Sequence, residues 1–378
     1  MRSWIERQLY LIDYTLAALN RRRARSMGML LVYLLLVFVL ASVMLFSHAL
    51  RREMGRILEH APEVVLQYQL AGRSAPVPTR LLDGIGRLRG VRKIEPRLWG
   101  QYFDTGIQAN YTFFVDREQA LADDAIVIGP TLARTRGLEA GDKVSWRAWN
   151  GALHTFSVAA VLPQASELMS ADLVLLSENG FRRFFGYPDG VYTDFALSVS
   201  NPREVRNVAA RLTELLPETR PILREEVLRT YAALFDWREG IALAVLGGAL
   251  LAFAILAWDR AAGLSAEERR EIGILKAIGW DTGDVMRMKF WEGLLLSGFA
   301  FLGGYLLAYL HVFHLDGALF RPVLQGWAVL YPRFSLVPDI DLLQVFTLGF
   351  LTVVPYTAAV LVPGWRAAIT DPDTVMRA

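Results

Sequence analysis

The sequence predicts a membrane protein with four transmembrane α-helices and a large α+β extracytoplasmic domain between the first and second spans. Three observations lead to this prediction: four long apolar runs, one long polar segment with alternating strand and helix signals, and an uneven distribution of basic residues. Of the 378 residues, 53% are hydrophobic and 21% are charged. A soluble domain joined to several membrane spans accounts for both values.

The composition also narrows the chemistry. The net charge is only +2 and the chain has no cysteine. Disulfides and thiolate metal sites are therefore excluded, and nothing in the charge points to nucleic acid. The sequence shows no Ser/His/Asp set, no paired carboxylates with catalytic spacing and no metal-ligand spacing. We therefore expect no catalytic residue, no metal and no cofactor bound by this chain.

The first predicted span covers residues 26–48 and follows a leader, residues 1–25. The run Ser26 to Phe46 carries no charge, and about 20 apolar residues cross a bilayer. A cleaved signal peptide is the alternative, but its apolar core should be shorter and nearer the N-terminus. In the leader, apolar residues recur at helical spacing: Ile5, Leu9, Ile12, Leu16 and Leu19. Such a helix either lies on the membrane surface or packs against its own bundle.

Three further spans are predicted at residues 240–258, 290–313 and 343–362. The third contains Glu292 near its start, and the fourth contains Pro355. Both residues are tolerated inside a helix bundle, where neighbouring groups satisfy the polar atoms.

Basic residues set the predicted orientation. Six arginines precede the first span, six basic residues lie in 259–289, and two lie in the loop 314–342. Because basic loops stay in the cytoplasm, we expect both termini, the tail 363–378 and the segment 259–289 to be cytoplasmic. The domain 49–239 and the loop 314–342 then lie outside.

The domain 49–239 is predicted to hold two strand–helix–strand units with a β-rich middle. In the first unit, Val64 to Leu70 and Val91 to Phe103 are strand-like and Thr79 to Leu88 is an amphipathic helix. In the second, an alternating strand at 191–199 precedes a helix that begins near Asn201-Pro202 and runs through Leu216. In the middle, Gly137 is predicted to end a short helix, and the glycine-rich stretch around it lacks the spacing of a phosphate-binding loop.

The most specific stretch of the sequence lies between the second and third spans. It reads SAEERREIGILKAIGWDTGDVMRMKFWEGLLL over residues 265–296. Gly279 is predicted to end one helix, and Asp281 is predicted to cap the next. From the residues alone, a solvated loop helix is a sufficient explanation of this pattern.

The motif RREIGILKAIGW, however, resembles the signature of the FtsX/MacB-type ABC transporter permease family, in its four-span, MacB and lipoprotein-release form. The stretch IGPTLARTRGLEAGDKV is similar to a segment of that family's extracytoplasmic domain. The C-terminal sequence VPGWRAAITDPDTVMRA resembles the family's closing motif. Its matching positions include Pro363, Arg366, Asp371, Pro372 and Arg377.

The resemblance implies a mechanical transmitter in the bacterial inner membrane. A separate cytoplasmic ABC ATPase dimer binds and hydrolyses ATP, and the permease relays its movement to the outer domain. A second copy of the permease or a related one, a membrane lipid and a periplasmic adaptor are the other implied partners. The residues expected to couple to the ATPase, by polar contacts or as apolar anchors, are Glu267, Glu268, Arg270, Glu271, Ile272, Leu275, Lys276 and Gly279.

Two other functions remain open. One is an FtsX-like signalling transducer whose outer domain controls a cell-wall hydrolase. The other is a membrane-anchored binding module without an ATPase, which leaves the motif at 265–296 unexplained. The size of the domain 49–239 favours the transport type. The loop 314–342 is longer than in many members of the family, and its role is open.

Overall fold

The structure is a computed structural model. It describes residues 2–59, 61–86, 88–164, 167–230, 240, 247–251, 255, 266–320, 329–333 and 336–369. The chain forms two compact units. A helical unit contains residues 1–50, 235–318 and 336–378, and an α+β unit contains residues 51–234 and 319–335.

The helices in chain order are α1 Arg2–Arg21, α2 Arg23–Glu59, α3 Leu82–Ile85, α4 Pro130–Arg136, α5 Glu167–Ser170, α6 Glu178–Phe185, α7 Val205–Leu215, α8 Ala266–Ala277, α9 Thr282–Phe313 and α10 Leu342–Ile369. The strands are β1 Val64–Leu70, β2 Arg73–Ala75, β3 Val77–Pro78, β4 Val91–Arg97, β5 Trp99–Asp104, β6 Ala109–Val115, β7 Ala125–Ile128, β8 Lys143–Arg147, β9 Leu153–Val161, β10 Leu173–Leu176, β11 Val191–Tyr192, β12 Asp194–Val199 and β13 Thr219–Leu223.

Three helical stretches among the described residues are long and apolar enough to cross a membrane: Ser26–Glu59, Thr282–Phe313 and Leu342–Val362. They correspond to the predicted first, third and fourth spans. The predicted second span, 240–258, lies mostly outside the described residues, so the count of four spans stays a prediction. All three helices extend beyond the apolar runs, since helix α2 continues to Glu59 and helix α10 to Ile369.

Small residues let the long helices of the helical unit approach closely. A Cβ atom added at Gly304 of α9 would lie 2.8 Å from the Leu34 carbonyl oxygen of α2. A Cβ atom added at Gly293 would lie 3.1 Å from the Cα atom of Thr357 in α10. Around these contacts the buried rings of Tyr33 and Tyr356 stack with centroids 5.1 Å apart. Close backbone packing of this kind is typical of helices within a membrane, where there is little hydrophobic drive between them.

The two predicted strand–helix–strand units combine in a single sheet of the α+β unit. Its main strands run in the order β13-β1-β12-β4, and β2 pairs with β1. Each strand of the first unit therefore lies beside a strand of the second, and all of these pairs are antiparallel. This is the βαββαβ arrangement of ferredoxin-like folds. Helices α3 and α7 cover the sheet with Ile85, Val208 and Leu212.

The β-rich middle forms a second sheet, inserted between β4 and β12. Its order is β5-β6-β10-β7-β9-β8, and its core is aromatic, with buried Tyr111, Phe113, Trp146, Phe156 and Phe184. The stretch 91–103, which the sequence presents as one strand, divides at Leu98 into β4 and β5, and each half joins a different sheet. Gly137 ends α4 with a φ of 63°, as predicted.

Candidate functional site

The stretch 266–313 forms a helical hairpin. Helix α8 ends at Ala277, and Gly279 turns the chain with a φ of +101°, a value that glycine adopts without strain. Helix α9 then begins behind Asp281, whose Oδ1 atom accepts a hydrogen bond of 2.7 Å from the Asp284 amide. The predicted helix end and cap are confirmed. Because both ends of the turn are satisfied locally, the hairpin is a stiff element.

The inner face of the hairpin is apolar. Ile272 and Leu275 of α8 pack with Val285 and Met288 of α9, and all four side chains are buried. Tyr14 of the leader helix α1 closes this cluster from the side, with Trp280 beside it at a centroid distance of 5.5 Å.

Glu271, within the RREIG motif, links the hairpin to the leader helix. The Tyr14 hydroxyl donates to its Oε1 atom at 2.8 Å. The guanidinium groups of Arg21 and Arg22 donate to its two oxygens at 2.8 and 2.6 Å. Burial, together with the bond to Glu271, raises the pKa of Tyr14, so its hydroxyl remains a donor at neutral pH. One carboxylate thus joins two segments that lie about 250 positions apart in the chain.

Two further contacts hold helix α1 along the start of α9. The Arg7 guanidinium donates to Asp284 Oδ1 at 2.5 Å, and the Trp291 indole donates to Gln8 Oε1 at 2.8 Å. We call α1, α8 and the first three turns of α9 the coupling site. The part that α1 plays in this site was not predicted from the sequence. The sequence signal for this contact is the pair Arg21-Arg22, which can bind an acidic side chain. The partner, Glu271, lies about 250 positions further along the chain, so spacing could not assign it.

The buried face of the leader helix is not the face that carries most of its apolar stripe. Leu11 and Thr15 are buried, whereas Ile5, Leu9 and Leu16 are exposed. The two interpretations of the leader are therefore compatible, because α1 packs against its own bundle and still presents apolar side chains outward.

The structure revises the role of two predicted coupling residues. Ile272 and Leu275 were expected to anchor the helix in a partner, but both are buried inside the coupling site. The exposed apolar side chains are instead Ile274 of α8 and Ile278, the residue just after the helix, whose amide still bonds to the Ile274 carbonyl. Lys276 is half-buried. Glu267, Glu268 and Arg270 lie in α8, but their side chains are outside the described part.

Glu292, predicted as a polar residue within a span, has its partner on the same helix. The buried Lys289 ammonium donates to Glu292 Oε2 at 2.6 Å. A Cβ atom added at Gly364 of α10 would lie 2.9 Å from Lys289 Cγ, so α10 packs directly on the stem of this lysine. The pair places two opposite charges near the membrane boundary, where each compensates the other.

The C-terminal motif is only partly described. Pro363 and Arg366 lie in helix α10, with side chains outside the described part. Asp371, Pro372 and Arg377 lie outside the described residues altogether. In the part of the chain that the structure covers, no group of three or more His, Asp or Glu side chains is arranged to hold a metal ion.

The fold and the coupling site define a class: a membrane protein of long apolar helices, with an α+β unit and a capped helical hairpin between two predicted spans. Residues 241–372 match the family model described as the FtsX-like permease C-terminal domain. The predicted resemblance is thereby confirmed over these residues, which include the hairpin, α9 and α10 and are similar to an FtsX-like permease domain.

The other comparisons add little to this match. The periplasmic region of MacB from Actinobacillus actinomycetemcomitans is similar at 8% identity with a TM-score of 0.31, covering 45% of this chain and 92% of that one. No curated protein matches the chain.

Proposed function

We propose that this protein is the permease subunit of an ABC transporter of the FtsX/MacB type, and that it acts as a mechanotransmitter. The observation that carries the proposal is the coupling site. A capped hairpin, packed on the leader helix and lying within the matched permease domain, leaves an apolar face on α8 for a partner.

The energy comes from a separate cytoplasmic ABC ATPase dimer. The sequence has no Walker A motif, G-x-x-x-x-G-K-[ST], so ATP is bound by the partner and not by this chain. Ile274 of α8 and Ile278 just beyond its end are the apolar contacts. Glu267, Glu268, Arg270 and Lys276 provide charge on the same helix. Ile272 and Leu275 instead pack inside the hairpin, and Glu271 holds the hairpin to the leader.

Helix α9 is the lever of the proposed mechanism. It runs without a break from the hairpin through a predicted span, Thr282–Phe313, and its 32 residues extend about 48 Å. A push on α8 therefore moves the whole of α9, because Val285 and Met288 are buried against Ile272 and Leu275.

The substrate class follows from the setting. The protein lies in a bacterial inner membrane with both termini in the cytoplasm, and the α+β unit works outside on a lipid, lipoprotein, peptide or small hydrophobic compound. The four predicted spans are too few for a complete permease, so a second copy or a related permease completes the assembly, with a periplasmic adaptor as a further partner.

A photo-crosslinking experiment tests the proposal. A photoreactive amino acid at position 278, and separately at 274, should yield an adduct with an ABC-type ATPase in living cells, identified by mass spectrometry. Position 153 serves as the control, because Leu153 is 70% exposed, as is Ile278, but lies on the α+β unit. If neither 274 nor 278 captures an ATPase while the protein is folded and inserted, the ABC assignment is wrong.

A further inference from the structure

The segment 329–333, from the long loop between α9 and α10, lies against the α+β unit. The Leu330 side chain packs on the aromatic core of the second sheet. The Arg333 amide donates a hydrogen bond of 2.7 Å to Glu167 Oε1 in α5. This part of the loop thus belongs to the α+β unit, although its two flanking helices belong to the helical unit.

The acceptor of the Arg333 amide is the buried carboxylate of Glu167. Glu167 is 0% exposed, and its Oε1 atom also accepts from Thr131 Oγ1 at 2.5 Å and from Arg134 Nη2 at 2.7 Å. Burial by itself raises the pKa of Glu167, but these donors and the Arg333 amide together lower it, so the group is ionised at neutral pH. A buried carboxylate needs such donors, because its charge has lost the hydration that it would have in water.

Within the described part of the chain, only one of the two carboxylate oxygens of Glu167 accepts hydrogen bonds. All the donors that the structure shows reach Oε1, and Oε2 has no partner among the described residues. Of the three donors, one is the backbone of the loop. Removing the loop would therefore leave a buried charge held only from α4.

We propose that residues 329–333 form a docked strap that ties helices α9 and α10 to the α+β unit through Glu167. The strap is a connection between the two predicted last spans and this unit, additional to the chain segments at either end of the unit. Because the bond uses a main-chain N–H, the side chain at position 333 is not what holds it. The mechanical use of the strap depends on the proposed transport function, whereas its docking does not.

The docking is tested by the reactivity of a single cysteine in the full chain, which has none of its own. Leu330→Cys is labelled with a maleimide in detergent, so the result depends on neither membrane sidedness nor an ATPase. Arg333→Pro removes the N–H donor and leaves Glu167, Thr131 and Arg134 unaltered. It should raise the labelling rate at 330 about tenfold, as expected when a hydrogen bond to a charged group is lost. Arg333→Ala keeps the N–H and should leave the rate unchanged.

A second variant approaches the contact from the other side. Glu167→Ala removes the acceptor and should raise labelling at 330 as Arg333→Pro does, while labelling of Val329→Cys, already exposed, should not change. Equal labelling rates at 330 in Arg333→Ala, Arg333→Pro and Glu167→Ala would overturn the strap. So would labelling at 330 as fast as at 329 in the otherwise unaltered chain.

Discussion

At the residue scale, Glu271 has a structural role in addition to the partner contact that its motif suggests. The resemblance presents it as part of a surface for a partner, yet it accepts hydrogen bonds from Tyr14 and Arg21 of the leader helix and from Arg22 just after that helix. The side chain is about a quarter exposed, so solvent screens these ion pairs in part. Its contribution is therefore local: it holds α1 in place without governing the stability of the whole helical unit.

We expect Glu271→Ala to release helix α1 from α8. The loss of three donors from a partly screened carboxylate should cost about 1–2 kcal/mol, which corresponds to about tenfold faster hydrogen exchange of the α1 amides. Mass spectrometry of the detergent-purified chain measures this. Glu225→Ala is the matched control, because Glu225 also binds two arginines but on an exposed surface. Unchanged exchange in α1 would show that the apolar cluster alone holds the leader helix.

At the scale of elements, the helical unit depends on where glycine lies along α9. Gly304 and Gly298 are both in this helix, and they have opposite surroundings. A Cβ atom at 304 would meet the Leu34 carbonyl oxygen and Val37 within 3 Å, whereas at 298 it meets nothing within 4 Å. The first position therefore fixes the approach of α2 and α9, and the second faces away from the packed bundle.

Gly304→Ala should destabilise the helical unit by about 1–3 kcal/mol, because the neighbour at 304 includes backbone, which cannot move aside cheaply. Gly298→Ala should be neutral or slightly stabilising, since alanine favours helix. Thermal unfolding of the two variants in the same detergent compares them directly. Equal melting temperatures would mean that α2 and α9 are not in close contact at this point.

At the scale of the whole molecule, the predicted arrangement of the chain in the membrane rests on the basic residues. The leader and the segment around α8 are rich in arginine and lysine, and both meet in the coupling site. Charges that share one site must lie on one side of the membrane. The contact between the leader and α8 therefore agrees with the prediction that both are on the same side, and leaves open which side that is.

Single cysteines test this orientation. We expect an impermeant maleimide to label Leu153→Cys in cells whose outer membrane has been permeabilised and not to label Ala277→Cys, which is reached only after lysis of the inner membrane. Both positions are exposed, so a difference in labelling reports sidedness and not burial. Labelling at 277 with none at 153 would invert the topology.

The sequence by itself determined the features that depend on local chemistry. Long uncharged runs predict membrane helices because an apolar helix satisfies its own backbone within one segment and presents apolar side chains to lipid. The turn at Gly279 and the cap at Asp281 are likewise local, since each involves atoms within a few residues. The strand–helix–strand units could be predicted for the same reason, because the spacing of apolar residues along each element reports its secondary structure.

Only the tertiary structure decided what depends on contacts between distant segments. Which face of α8 points inward was undetermined, because Ile272, Leu275, Ile274 and Ile278 are equally apolar and the cluster around Tyr14 selects between them. The interleaving of the two strand–helix–strand units and the bond from Arg333 to Glu167 are of the same kind. Hydrogen bonds and packing across such separations leave no periodic pattern in the chain, because their geometry exists only once the elements have assembled.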